Sequence, residues 1–140
     1  AVVIGKQSLA AGAYGLHMIL NESGEVTVIF SRNAEAWGSF FYDPADDAAR
    51  MTTKWEDATP HEMLTYEFTD VTRNEATLAL WWEKKRIPFR ISVDTDAVVV
   101  ASLKRKLTGG LGFDDRALIA ASSYLEQNNL DLNLVMKQIR

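Results

Sequence analysis

Cysteine is missing from this 140-residue chain. That excludes disulfide staples, thiolate nucleophiles and cysteine-based zinc sites, and it leaves the redox compartment open. Histidine is scarce: His17 and His61 stand far apart and form no H-E-x-x-H pair. Nucleophile signatures of the G-x-S-x-G and S-x-x-K kinds are absent as well. No apolar run is long enough to span a bilayer. Positive charge is in deficit, with 15 Lys and Arg against 19 Asp and Glu and a net charge of -4. A general nucleic-acid binder needs a basic surface to neutralise phosphates, so nucleic acid is not an expected partner.

What is present is the balance of a folded globular chain, 47% hydrophobic and 24% charged. The length suits one domain, or one domain with a small appendage. The chain opens on Ala1-Val2-Val3-Ile4, with no initiator methionine and no apolar leader, and closes on Ile139-Arg140 within a helical pattern. Starting in a strand and stopping in a helix is how a fragment reads.

Residues 1–93 carry a two-residue period. Tyr14, Leu16, Met18 and Leu20 share one strand face, with Ala13, Gly15, His17 and Ile19 on the other. Asn21-Glu22-Ser23-Gly24 is a hairpin connection to Val26, Val28 and Phe30. Leu64, Tyr66 and Phe68 predict a further strand, Leu78, Leu80 and Trp82 another, and Ile87, Phe89, Ile91 and Val93 a third. Thr72-Arg73-Asn74 and Glu83-Lys84-Lys85 are read as the short links between them. Pro88 falls out of phase with the inward positions and is expected on an edge strand or at a bulge. By the same phase Trp82 belongs to the core and Trp81 to the opposite face.

From Asp94 the period becomes helical. Val99, Leu103 and Leu107 form one stripe, with Lys104-Arg105-Lys106 in the last turn, where cations suit the helix dipole. Gly109-Gly110-Leu111-Gly112 reads as a linker rather than a phosphate cradle, because no Lys-Ser/Thr follows and a helix precedes it. Asp114 caps a second helix, with Phe113 and Leu118 spaced as a hydrophobic staple and Leu118, Ala121 and Leu125 as the inward stripe. Asn128-Asn129 ends that helix, and Asp131 caps a third with Leu132, Val135, Met136 and Ile139 on one face.

The predicted architecture is therefore mainly β with an α tail. It is an antiparallel sandwich or curved sheet of about seven strands over 1–93, one helix that closes the domain near 107, a linker at 108–113 and a helical hairpin over 114–140. Such a hairpin cannot bury both of its stripes alone, so the tail is a candidate surface for a protein partner or an oligomer.

Residues 32–48 are irregular and rich in aromatics: Trp37, Phe40, Phe41 and Tyr42, followed by Pro44 and several aspartates. Long ordered loops are often functional, and such a group makes either a stacking platform for a sugar or another flat ligand, or a plug for the end of a sandwich. Asp47 and Arg50 flank the start of the next strand, where they bind a polar ligand or pair with each other. His17, beside the small residues Ala13 and Gly15, is either a pocket acid–base group or a half-buried histidine satisfied by one hydrogen bond. The Asp43-Pro44-Ala45-Asp46-Asp47 run fails as a calcium loop, since positions three, six and twelve are Ala45, Ala48 and Lys54. The binding candidates are thus Trp37, Tyr42, Asp47, Arg50 and His17. No catalytic residue, metal or cofactor is assigned; the enzymatic alternative pairs His17 with Asp47 or Glu83 in a hydrolase-like site on a small substrate.

A resemblance adds to this. Leu9 to Ile19, Val28 to Asn33, Trp37-Gly38, Tyr42, Asp47 to Arg50, Trp82-Glu83-Lys84 and Ile87-Pro88-Phe89 together resemble domain of unknown function 2911 across residues 1 to about 105. The helical tail resembles the tetratricopeptide-like extension of some members. The resemblance implies a bacterial, exported protein, periplasmic or secreted, with an all-β domain whose first strands precede Ala1; it implies no reaction.

Overall fold

The structure is a computed structural model that describes residues 1–137. The chain forms two compact units, residues 1–93 and residues 94–140, each considered by itself below.

The first unit is antiparallel β. Its strands are β1 (Val2–Ile4), β2 (Gln7–Leu9), β3 (Gly15–Leu20), β4 (Glu25–Ser31), β5 (Asp47–Lys54), β6 (Glu56–Thr69) and β7 (Glu75–Ser92). They make two sheets, ordered β2-β1-β7-β6 and β3-β4-β5. The alternating pattern turns Val26 and Val28 of β4 inward onto Ile87 and Phe89 of β7, with Leu16, Met18, Met51 and Trp55 packed around them. Burying each such branched or aromatic side chain contributes about 1.5–3 kcal/mol, so this inter-sheet layer is what holds the unit together. Ile4, Leu9 and Ala49 extend it at one end. Gly24, at φ +89°, closes the β3–β4 hairpin at the expected Asn21–Gly24 connection.

β7 corrects the strand count expected after residue 75. Glu83-Lys84-Lys85 is not a link between two strands but a corner within one continuous strand, with Glu83 at φ +51°. The bend is sharp enough for the two ends of β7 to meet: the Val93 N–H donates to the Asn74 carbonyl at 2.7 Å, and Arg90 reaches Glu75 at 3.4 Å. β6 takes the longer path around this corner. It advances from Asp57 to Thr65 while β7 advances only from Lys85 to Trp81, so β6 absorbs its extra residues in two bulges. His61 lies within β6 in register with Glu83.

The corner also inverts two burial expectations. Leu78 and Leu80 pack on the core as predicted, but Trp82 is 55% exposed, whereas Trp81 lies half-buried between the His61 ring at 4.9 Å and the Arg86 guanidinium at 5.2 Å. Leu64, Tyr66 and Phe68, on the edge strand of the sheet, are exposed rather than inward. Pro88 sits in a central strand, yet at a place where neither neighbour pairs: β6 register ends at Arg86 and β1 register begins at Ile91. No ladder hydrogen bond is lost to the missing N–H there.

The second unit holds α1 (Thr95–Leu107), α2 (Asp115–Gln127) and a short α3 (Asn133–Met136), with a 3₁₀ turn at Gly110–Phe113 inside the glycine-rich segment. Asp94 caps α1 by accepting from the Ala97 N–H, and Asp114 caps α2 by accepting from Arg116 and Ala117. Leu107, Ala121, Leu125 and Val135 form a common core, so α1 packs with the helices that follow it. Two local expectations fail. Phe113 is 93% exposed and makes no staple with Leu118, because it ends a 3₁₀ turn that directs it outward. Of the third helix's stripe, Val135 is buried while Leu132 and Met136 are exposed; Ile139 lies outside the described residues. Among the described residues no helix is long and apolar enough to cross a membrane.

Candidate functional site

β3, β4 and β5 bury one face against the other sheet and leave the opposite face to the segment that follows β4. On that outer face the register sets His17, Ile29 and Arg50 side by side across the three strands. Ile29 is fully buried there and forms an apolar floor between two polar side chains.

The segment between Ser31 and Asp47 returns over this face. Its ends are tied: the Arg32 N–H donates to the Asp46 carbonyl at 2.8 Å, and the Arg32 guanidinium donates to the Asp47 carbonyl at 2.9 Å. The Ser31 hydroxyl, buried at the end of β4, accepts from the Asn33 N–H and turns the chain outward. Asp43 caps the single 3₁₀ turn Pro44–Asp46 by accepting from Ala45, and this turn delivers Asp47 to the start of β5.

The loop brings four of the five sequence candidates into one cluster. Tyr42 donates its phenolic proton to the Asp47 carboxylate at 2.9 Å and accepts from Arg50 Nη2 at 2.6 Å. Arg50 Nε donates to the same carboxylate at 2.9 Å. Tyr42, Asp47 and Arg50 therefore close a three-membered ring of hydrogen bonds. The His17 ring lies 5.2 Å from the Tyr42 ring, and its Nδ1 is 2.8 Å from the Ser39 hydroxyl.

Ser39 was not among the sequence candidates. Nothing in its own neighbourhood singles it out; only the return of the loop over β3 sets it against His17. Gly15 makes room for that return. A Cβ at Gly15 would stand 2.6 Å from the Asn33 carbonyl oxygen and 3.2 Å from His17 Nε2.

Trp37, the fifth candidate, stands apart from the hydrogen-bonded ring. It stacks on Phe40 at 5.9 Å with the planes 15° apart, and both rings are about four-fifths exposed. Phe41 is exposed too. The aromatic group is not a plug: Trp37, Phe40 and Phe41 face solvent on the same short segment that supplies Ser39 and Tyr42.

The electrostatics are those of a closed charge pair. Partial burial, and then the hydrogen bond to Asp47, hold the Tyr42 phenol above the ordinary tyrosine range. The hydrogen bond to Tyr42 raises the Arg50 guanidinium, so this cation stays charged at any physiological pH. Neither carboxylate of the enzymatic alternative is a hydrogen-bond partner of His17: Asp47 is engaged by Tyr42 and Arg50, and Glu83 lies on β7. Glu83 borders a separate groove of about 630 Å³ with Pro60, His61, Glu62 and Trp82. Among the described residues no three His, Asp or Glu side chains gather as metal ligands would.

What the cluster offers chemically is a donor–acceptor mosaic on the same loop that carries the exposed Trp37–Phe40 stack. The free lone pairs of Asp47 accept hydroxyl protons, the unused Arg50 N–H groups donate to hydroxyl oxygens, and the Ser39 hydroxyl does either.

Comparison with curated proteins and with solved structures finds no match. Residues 1–91, which contain the whole loop and its three supporting strands, match the model of the family described as "Protein of unknown function (DUF2911)", and the chain belongs to that family.

Proposed function

We infer that the chain is a non-enzymatic binding module whose site is the loop over β3–β5, and that its ligand is a flat, hydroxyl-bearing molecule of the saccharide class. The observation that carries this reading is the conjunction of the exposed Trp37–Phe40 stack with the Tyr42–Asp47–Arg50 ring. An aromatic face takes the C–H face of a sugar ring, and an adjacent Asp–Arg pair takes two neighbouring hydroxyls, one as donor and one as acceptor. The periplasmic or secreted location is part of the same proposal and rests on the resemblance described above; it makes cell-wall and envelope saccharides the first ligands to test.

The test is a stability panel on the full chain with simple sugars, cell-wall fragments, lipids and divalent metals, read by tryptophan fluorescence. A ligand at about one hundred times its dissociation constant adds roughly 2.7 kcal/mol. A shift with saccharides that Trp37→Ala abolishes supports the reading; a shift that survives both Trp37→Ala and Arg50→Ala sinks it.

A second reading places the working surface on the helical unit, as a docking face for a partner or a second copy. The exposed Ile119 and Met136 favour it. It predicts that Ile119→Glu abolishes association while the saccharide response of the loop is unchanged.

A further inference from the structure

The side chains of a paired strand alternate between two faces. Two short runs break that rule here: residues 60–62 of β6 and residues 82–85 of β7 all line one groove of about 630 Å³. The β7 corner gathers them. Glu83 lies in the left-handed region at φ +51°, and β6 bulges on both sides of His61, its register partner. A residue with a Cβ takes that conformation at a cost that glycine would avoid, and residues held in this way cluster at ligand sites. The strained position here carries a carboxylate and lines the groove.

The groups around the groove have defined states. Trp82 and Pro60 give it an apolar surface. His61 Nδ1 lies 2.9 Å from the Thr59 carbonyl oxygen, which only accepts, so Nδ1 carries a proton and Nε2 of the neutral ring is an open acceptor. Lys85 is already engaged: it pairs with Asp57 at 2.6 Å and lies over the Trp55 ring at 5.3 Å. Among the described residues Glu62, Glu83 and Lys84 have no ion-pair partner. The groove therefore combines an indole with two open carboxylates, one open imidazole nitrogen and one open ammonium group.

This set selects among ligand charges. A simple anion would meet Lys84 and also two carboxylates. A simple amine would satisfy the carboxylates and set a second cation against Lys84. An uncharged apolar molecule would cover the indole and desolvate three unpaired charges. A small zwitterion answers both signs at once, with an ammonium group that donates three hydrogen bonds and a carboxylate that accepts from a lysine. The volume lies within the range of small-molecule sites.

We propose that this groove binds a free α-amino acid with an aromatic or branched apolar side chain. Its ammonium group donates to Glu62 and Glu83, its carboxylate accepts from Lys84, and its side chain lies on Trp82 and Pro60. The site shares no residue with the loop over β3–β5 and is independent of the saccharide reading.

The probe is phenylalanine, titrated into the isotope-labelled full chain and observed at the indole N–H groups and the backbone amides of residues 61–62 and 82–85. Three analogues each lack one element: N-acetylphenylalanine the ammonium group, phenylalaninamide the carboxylate, and glycine the side chain. The proposal requires saturable shifts of the Trp82 indole and these amides with phenylalanine while the Trp37 indole stays still. It also requires affinity about tenfold weaker for each analogue. Lys84→Met should weaken phenylalanine binding about tenfold and leave phenylalaninamide unchanged, whereas Glu83→Gln should weaken both and leave N-acetylphenylalanine unchanged. Both side chains are exposed, and thermal unfolding followed by tryptophan fluorescence checks that the variants are folded. Equal affinity for phenylalaninamide or N-acetylphenylalanine overturns the proposal, as does unchanged phenylalanine affinity in Lys84→Met. Shifts centred elsewhere, or no saturable binding at millimolar phenylalanine, overturn it too.

Discussion

Replacing Gly15 by alanine tests whether the loop really closes on β3 as described. The added Cβ would lie 2.6 Å from the backbone oxygen of Asn33, where no flexible side chain can give way, and 3.2 Å from His17 Nε2. Relief requires the chain to move at Asn33, where the loop leaves β4, and the imidazole to swing away from Ser39. Overpacking of this kind costs about 1–3 kcal/mol, while the loss of glycine's unfolded-state freedom returns about 0.4–1 kcal/mol. The net loss is about 1–2 kcal/mol, or roughly 5 to 15 °C for a unit of this size. The assay is thermal unfolding followed by tryptophan fluorescence, which reports the β unit selectively because Trp37, Trp55, Trp81 and Trp82 all lie in residues 1–93. Gly12→Ala is the control: the nearest atoms to its Cβ would be those of the Tyr14 ring, at 3.5 Å, an ordinary contact, so a change within about 1 kcal/mol is expected. A Gly15→Ala protein as stable as the Gly12→Ala control, with an unperturbed His17 resonance, would refute the loop geometry.

Other consequences are equally direct. Leu125 is fully buried in the helical core, so Leu125→Ala should cost about 2–5 kcal/mol and abolish the helical far-ultraviolet signal while the tryptophan transition stays in place. Asp114→Ala removes the α2 cap and should destabilise the same unit by about 1 kcal/mol, measured by denaturant titration of ellipticity. Because the folded state raises the Tyr42 pKa, its contribution is complete below the ordinary tyrosine value of 10.0 and is lost as pH rises beyond it. Ultraviolet titration should show the Tyr42 phenol ionising late together with Tyr66, which burial also raises, and Tyr42→Phe should remove only the Tyr42 part of that late component. Asp57 behaves oppositely: its hydrogen bond to Lys85, and then the charge of Lys85, lower its pKa, so the benefit is present above the free value of 3.8 and lost on further acidification. Lys85→Met should return the Asp57 carboxyl resonance to the normal carboxylate range.

The fold was legible wherever one period governed a whole strand. Val26, Val28 and Phe30 read inward and pack inward, as do Ile87 and Phe89. It was illegible at the β7 corner. Leu78, Leu80 and Trp82 alternate without a break, and nothing local announces that β7 turns sharply at Glu83 while β6 bulges around it. The error at Trp81 and Trp82 is the consequence, since a strand that changes direction exchanges which neighbour is covered.

The same limit applies to the site. Tyr42, Asp47 and Arg50 were readable as candidates because they cluster in sequence around one irregular segment. Ser39 was not, because its meeting with His17 depends on a contact 22 residues distant. The one hint was Gly15 on the face of His17, a gap that only a returning chain would need.

The central claim is that the loop over β3–β5 binds a saccharide. Titration of the isotope-labelled full chain with cell-wall oligosaccharides, observed at the Trp37 indole N–H and the Arg50 Nε–H, tests it most directly. The account predicts saturable shifts of both signals at one common affinity, lost in Trp37→Ala. Saccharide binding that leaves both signals unmoved, or no saccharide binding at millimolar concentration, would contradict it.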